Sequence, residues 1–187
     1  MERWTPAAER YSRVAIFLHW LLVIALLAQV AFGWFLGDVP RGTPERTIYV
    51  NLHKSTGMLI GLVVLLRVCW RLTHRAPALP SFMPVWERTA AKWSHALLYI
   101  CMVVMPASGY IASNFSPYGV NFFNSIKLAP WGMEDAAVYA VFNKTHELTS
   151  VLFVALIVLH GLAAMRHLVA RDGAFYRMWP GRKREQP

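Results

Sequence analysis

The sequence predicts an all-α integral membrane protein whose four helices form one bundle. Of its 187 residues, 56% are apolar, the mean hydropathy is +0.36, and the apolar residues come in long blocks. Each block comes close to the roughly 20 residues that an α-helix needs to cross the hydrocarbon core of a bilayer. The predicted spans are 14–36, 52–72, 94–113 and 145–167. We therefore expect residues 1–187 to be a single four-helix transmembrane domain.

The first block, VAIFLHWLLVIALLAQVAFGWFL, follows a basic leader, so a cleaved signal peptide has to be considered. The block is 23 residues long, which exceeds the 7 to 15 apolar residues typical of a signal peptide, and no small-residue cleavage site stands out after it. We expect it to be a retained helix.

The connections also carry structural signals. Pro77, Pro80 and Pro84 prevent helix between the second and third spans. The segment 87–93 can begin the third helix early, and Pro106 should kink that helix. The stretch EDAAVYAVFNKTHE favours helix and can run directly into the fourth span.

The two cysteines, Cys69 and Cys101, fall within predicted spans, far from any loop where an oxidising compartment would use them. We therefore expect them to be packing residues.

Basic residues are divided unequally between the two sides of the predicted membrane. One side has 14 of the 19 Lys and Arg residues: Arg3, Arg10, Arg13, Arg67, Arg71, Arg75, Arg88, Lys92, Arg166, Arg171, Arg177, Arg182, Lys183 and Arg184. The other side has five, offset by five acidic residues. The positive-inside rule makes the basic side, with both termini, cytoplasmic. Because the charge is divided by membrane side and not gathered on a soluble module, nucleic-acid binding is not expected.

Four histidines match in pairs by their predicted depth. His19 lies about 8 Å inside the cytoplasmic boundary and His160 about 10 Å inside it, at 1.5 Å of rise per residue. His53 and His146 both lie near the external boundary. His146 and His160 are 14 positions apart on one helix, a rise of about 21 Å on nearly the same face.

Matched imidazoles on facing helices indicate a flat cofactor at each level. Intramembrane ionisable residues are costly and usually functional, and two imidazoles from facing helices can bind haem iron from both sides. A single membrane histidine more often makes an interhelical hydrogen bond, but pairwise matching favours haem. Zinc or non-haem iron would want ligands converging at one level, often carboxylates, and no acidic residue lies well inside a span.

Small residues follow three of these histidines by one turn: Gly57, Ser150 and Ala164. They could leave room for a macrocycle. Alternatively, the glycines of GMLIG (57–61) form a G-x-x-x-G helix contact and the other two are ordinary packing residues.

Three histidines remain. His95 opens the third predicted span and should be too shallow to reach the level of His19, although it could hydrogen-bond a haem propionate. His74 should be solvated in a loop. His167, beside Arg166, is either a surface residue or part of a quinone pocket in which a proton donor near the inner cofactor would be useful.

Several motifs, in this order and spacing, resemble the bacterial diheme cytochrome b561 family. They are RYSRVAIFLHW (10–20), LHKSTGMLIGLVVLLRVCWRL (52–72), HALLYICMVVMPASGY (95–110), THE (145–147), LHGLAAMRH (159–167) and RDGAFYRMWPGRK (171–183). The resemblance covers nearly the whole chain. It implies two b-type haems, with axial ligands on His19, His53, His146 and His160, in a bacterial inner membrane.

The resemblance also bears on the reaction. Some members look like superoxide:ubiquinone oxidoreductases, while others are electron-carrying subunits. Lys54 and Lys144 stand beside the outer histidines and could steer a small anion, or they could merely anchor helix ends and pair with Glu147. This chain departs from the family where His167 is followed by Leu168 instead of a second histidine, and where FFNSIKLAPWG lacks a Phe-Gly.

Two functions therefore compete. The first is an oxidoreductase that takes electrons from external superoxide, or another one-electron donor, and reduces ubiquinone in the lipid membrane. The second is a haem-carrying anchor that relays electrons for a dehydrogenase or hydrogenase partner.

Overall fold

The computed structural model describes residues 10–80 and 83–181. Four long helices dominate it: α1 (Arg13–Asp38), α2 (Pro44–Thr73), α3 (Val85–Asn114) and α4 (Ala136–Ala170). Each is long and apolar enough to cross a membrane, which confirms the predicted fold class. Arg3, Arg182, Lys183 and Arg184, which were counted in the charge asymmetry, lie outside the described residues.

Each helix is longer than its predicted apolar span, and a capping side chain sets the start of three of them: Ser12 for α1, Thr43 for α2 and Asp135 for α4. Helix α2 begins at Pro44, where the Thr43 hydroxyl accepts from the Arg46 amide at 3.3 Å, and this N-terminus was missed. A capping hydroxyl or carboxylate satisfies amides that the first helical turn leaves unpaired. The early start of α3 and the extension of α4 towards residue 136 were both predicted and are confirmed.

The segment between α3 and α4 contains a hairpin that the sequence analysis did not predict. Strand β1 (Val120–Phe122) pairs antiparallel with β2 (Ile126–Leu128). The hairpin is attached to α2 by four hydrogen bonds. They are Asn51 Nδ2 to Asn124 Oδ1 at 2.8 Å, Asn124 Nδ2 to Ile48 O at 3.2 Å, Phe123 N to Ser55 Oγ at 2.8 Å, and Lys54 Nζ to Gly119 O at 2.7 Å. The strands are only three residues long, so neither gives a periodic signal.

Helix packing follows the chain: α1 lies on α2, α2 on α3, and α3 on α4. The buried core comprises Leu22, Val64, Cys101, Met102, Phe153 and Leu156. Cys101 is a core residue, as predicted. Cys69 is exposed, so its assignment to packing was wrong; it lies on the surface of α2 that no other described helix covers.

The two ends of the described chain meet at one end of the bundle. The Tyr11 amide donates to the Arg177 carbonyl at 3.3 Å, and Trp20 Nε1 donates to the Met178 carbonyl at 2.7 Å. The start of α1 and the segment after α4 therefore lie together, as an even number of spans requires.

The glycines of α2 make helix contacts on two sides. A Cβ on Gly57 would lie 3.1 Å from Gln29 Nε2 of α1, and one on Gly61 would lie 3.1 Å from Pro106 Cβ of α3. These contacts favour the helix-contact interpretation of GMLIG, since Gly57 makes room for a side chain of α1.

We expect Gly61→Val to weaken the α2–α3 contact, because branched γ-carbons would overlap the Pro106 ring. Overpacking a close contact typically costs about 1–3 kcal/mol. Thermal unfolding in detergent should show a midpoint several degrees lower. Gly37→Ala is the control, because a Cβ at Gly37 meets nothing within 4 Å. An unchanged midpoint for Gly61→Val would show that the contact is loose.

Candidate functional site

The inner histidines, His19 on α1 and His160 on α4, face each other across the bundle. Their ring centroids are 6.2 Å apart and the ring planes cross at 81°. Both rings are half-buried. Two helices distant in sequence thus bring their imidazoles together. The sequence predicted that the two residues lie at the same depth, and the structure adds that their rings face each other.

The outer histidines repeat this arrangement. His53 on α2 and His146 on α4 have ring centroids 6.4 Å apart and planes crossing at 86°, and both are also half-buried. Helix α4 therefore supplies one imidazole to each pair. In the described part of the chain, no three His, Cys, Asp or Glu side chains cluster as a conventional metal site would require.

The helices that carry each pair do not pack closely against each other. Within residues 10–80 and 83–181, α4 makes extensive backbone contact with α3 but not with α1 or α2. Midway along the bundle, Phe153 of α4 packs in the same buried cluster as Leu22 of α1 and Val64 of α2. On either side of this cluster, a pair of imidazoles lies between α4 and the helix opposite it. Since protein interiors are normally close-packed, the wider helix spacing at these two levels suits a flat apolar group.

The pair spacings leave room for one metal ion between the two imidazoles. A metal bound at about 2.0 Å by one nitrogen of each ring would lie between rings whose centroids are roughly 6 Å apart. The observed values are 6.2 and 6.4 Å. The residues present are therefore of the type and spacing that would hold haem iron at both levels.

The ring of His146 is held by α3. Its Nδ1 lies 2.9 Å from the Met105 carbonyl, an acceptor to which Nδ1 must donate its proton. That hydrogen bond leaves Nε2 with its lone pair available as a ligand. A Cβ on Gly109 would lie 3.0 Å from His146 Nδ1. The absence of a side chain at this position therefore lets the imidazole pack directly against α3.

His53 is positioned differently. Its Nδ1 is buried and has no hydrogen-bond partner among the described residues, but its backbone is fixed. Gln29 Nε2 donates to the His53 carbonyl at 2.8 Å, and Thr56 Oγ1 donates to Gln29 Oε1 at 2.8 Å. A Cβ on Gly33 would lie 3.3 Å from the His53 ring. Each outer imidazole thus has a glycine of a neighbouring helix beside it.

Arg67 is a residue of this region that sequence reasoning missed, because its charge was assigned to the cytoplasmic connection. Its NH2 lies 3.4 Å from His19 Nδ1, and its NH1 donates to the Ala15 carbonyl at 3.2 Å. Its guanidinium lies 5.7 Å from the centre of the Tyr99 ring. A cation within an apolar span is the signal that could have identified it.

The prediction that His95 is too shallow was wrong. Its ring centroid is 5.4 Å from that of His160. Helix α3 begins at Val85, so His95 is ten residues into the helix and about 15 Å from its start. His95 thus lies at the level of the inner pair and not at the predicted depth. Three imidazoles meet at this level, whereas a bis-imidazole haem needs only two.

The two lysines near the outer pair have separate partners. Lys54 is half-buried and donates to Gly119 O of the hairpin. Lys144 is exposed and pairs with Glu147 at 3.1 Å, as the anchoring alternative proposed. The charge of Lys144 is therefore offset locally, whereas no carboxylate among the described residues pairs with Lys54.

The residues of the predicted quinone pocket are both paired. His167 Nδ1 lies 2.6 Å from Asp172 Oδ2, and Arg166 NH2 lies 2.7 Å from Glu87 Oε1. His167 is half-buried, whereas Arg166 is exposed.

His74 is exposed, as predicted, and stacks on Trp70 with ring centroids 3.6 Å apart.

Comparison with known proteins identifies a family for the whole chain. The family model described as prokaryotic cytochrome b561 matches residues 10–181. The chain is 25% identical over 180 residues to cytochrome b561 homolog 1 of Escherichia coli (strain K12), covering 94% of this chain and 99% of that protein. It is 29% identical over 177 residues to homolog 2 of the same organism, covering 93% of each.

A shorter similarity extends to a different redox protein. Over 100 residues the chain is 27% identical to a probable Ni/Fe-hydrogenase 1 B-type cytochrome subunit of Escherichia coli (strain K12), covering 48% of this chain and 43% of that protein. With four apolar helices and a family match over nearly its whole length, the chain belongs to the prokaryotic cytochrome b561 family, in which b-type haem transfers electrons within a membrane.

Proposed function

We propose that the protein carries electrons across the bacterial inner membrane through two b-type haems. The proposed axial ligands are His19 with His160 and His53 with His146. The observation that carries this proposal is the presence of two imidazole pairs whose ring spacings each suit a single iron. Helix α4 provides a ligand at both levels.

The polypeptide determines what the cofactors can do. A b-type haem bound by two imidazoles has no open iron position, so it supplies reversible one-electron transfer and not oxygen binding. Met105 fixes the tautomer of His146 by accepting from Nδ1, and the apolar helices would give the cofactors a surrounding of low polarity. His146 and His160 set an axial offset of about 21 Å between the two levels.

We propose that both termini face the cytoplasm. The meeting of Tyr11 with Arg177 supports a common side for the two ends, and the excess of Lys and Arg near them favours the cytoplasmic side. The His53–His146 pair would then be periplasmic, and the His19–His160 pair would be close to the cytoplasmic surface.

For the substrates we propose superoxide as donor and ubiquinone as acceptor. Two superoxide anions would each lose one electron to give O₂, and ubiquinone would gain two electrons and two protons. Lys54 next to His53 supplies uncompensated positive charge for a small anion. Near the inner pair, the His167–Asp172 couple could deliver a proton to the quinone.

The similarity to a hydrogenase cytochrome subunit favours one alternative. In this second function the chain is an electron-relay subunit and receives electrons from a larger redox protein that docks on it. The residues proposed as haem ligands serve both functions equally, so they do not decide between them.

We predict two protohaems per chain in the pyridine haemochrome assay. His19→Ala should leave about one haem, because removing one axial imidazole leaves a single protein ligand on the inner iron. His146→Ala should likewise leave about one. His74→Ala is the control and should keep two, since that ring stacks on Trp70 at the surface. Two haems in His19→Ala would refute the proposed inner pair.

Gly109→Val should weaken the outer haem selectively. Its γ-carbons would push the His146 ring away from the Met105 carbonyl, and loss of such a supporting hydrogen bond typically costs about 10- to 100-fold in affinity for the metal centre. The haem-to-protein ratio and the low-spin electron paramagnetic resonance spectrum measure this loss. Gly161→Val is the control, because a Cβ there meets nothing within 4 Å. Equal spectra for the two variants would refute the role of Gly109.

Superoxide generated next to the purified protein in lipid nanodiscs should reduce the haems, and turnover should require ubiquinone. Superoxide dismutase should abolish the reduction. Lys54→Gln should slow it several-fold, with less effect at high salt, while Lys144→Gln should change it little because Glu147 already offsets that charge. Haems that stay oxidised under superoxide, but become reduced by a copurifying dehydrogenase or hydrogenase, would favour the relay function.

A further inference from the structure

A cavity of about 550 Å³ opens at the end of the bundle where the two ends of the chain meet. The start of α1, the end of α2 and the connection that follows α2 form most of its wall. None of the four paired histidines lines it. Its volume falls within the range of about 300–1,000 Å³ that is usual for small-molecule sites.

Four arginines line this cavity, and no carboxylate does: Arg10, Arg67, Arg71 and Arg75. Arg71 and Arg75 are exposed, and neither forms an ion pair within the described part of the chain. Arg10 donates through NH2 to two backbone carbonyls, but its buried Nε has no acceptor among the described residues. The wall therefore presents several guanidinium donors, and it contains no carboxylate that could accept their hydrogen bonds.

The surroundings of the cavity suit the interfacial zone of a bilayer. Trp70 and Tyr11 line it beside the arginines, and aromatic rings of this kind favour the level of lipid headgroups. Guanidinium groups bind phosphate oxygens through paired hydrogen bonds. Basic pockets between transmembrane helices are known as a way of binding acidic lipid headgroups.

We propose that this cavity binds the phosphate of an anionic phospholipid, with Arg71 and Arg75 as its principal donors. Arg67 connects this site to the inner histidines, because the same guanidinium lies next to His19 Nδ1. The proposal does not depend on how the histidines pair. The carboxylates of a haem offer similar anionic chemistry, so the experiment has to separate the two sources.

The test compares two double variants of the full-length, haem-loaded protein. Arg71→Gln/Arg75→Gln removes two charges from the cavity. Arg88→Gln/Lys92→Gln removes two charges from the same end of the bundle, at residues that do not line the cavity. Native mass spectrometry measures retained phosphatidylglycerol, with phosphatidylcholine as the zwitterionic reference. The pyridine haemochrome assay and the size-exclusion profile report haem content and folding.

We expect the cavity variant to bind phosphatidylglycerol roughly 30-fold more weakly than wild type, at about fivefold per arginine. Its haem content should be unchanged, and the control variant should retain the lipid. Equal retention by both variants, or no preference of wild type for phosphatidylglycerol over phosphatidylcholine, would overturn the proposal. Haem loss confined to the cavity variant would also overturn it, since the arginines would then bind haem carboxylates.

Discussion

The close packing of α4 on α3 is the constraint on which the rest of the structure depends. It leaves α4 at a wider spacing from α1 and α2, which it meets through the buried cluster around Phe153. On either side of that cluster, each paired imidazole of α4 faces one from α1 or α2. The α2 glycines and the hydrogen bond between His146 and Met105 hold this arrangement in place.

Much of this arrangement could be predicted from the sequence. Four apolar blocks gave four helices, and a rise of 1.5 Å per residue gave the depth at which each paired histidine should lie. The helix ends required capping residues such as Thr43, whose influence hydropathy does not register. Residues 120–128 were unpredictable for a different reason, since their strands depend on hydrogen bonds to distant residues of α2, such as Ser55.

The errors concern residues whose environment depends on tertiary contacts. His95 was assigned to the membrane boundary because the third apolar span was taken to begin at residue 94, although an earlier helix start was expected. The helix begins at Val85, and nine residues correspond to about 14 Å along its axis. Arg67 was counted as a cytoplasmic charge, although the end of α2 brings it beside His19. Gly109 was not identified from the sequence, because its contact with His146 forms only when α3 and α4 pack together.

The order of helix packing also bears on how the protein is assembled. Consecutive helices pack in chain order, so contacts between neighbours can form as each hairpin of helices enters the membrane. Both histidine pairs include a residue of α4, so neither pair is complete until the last helix is in place. The two levels are therefore completed together, however early the first three helices pack.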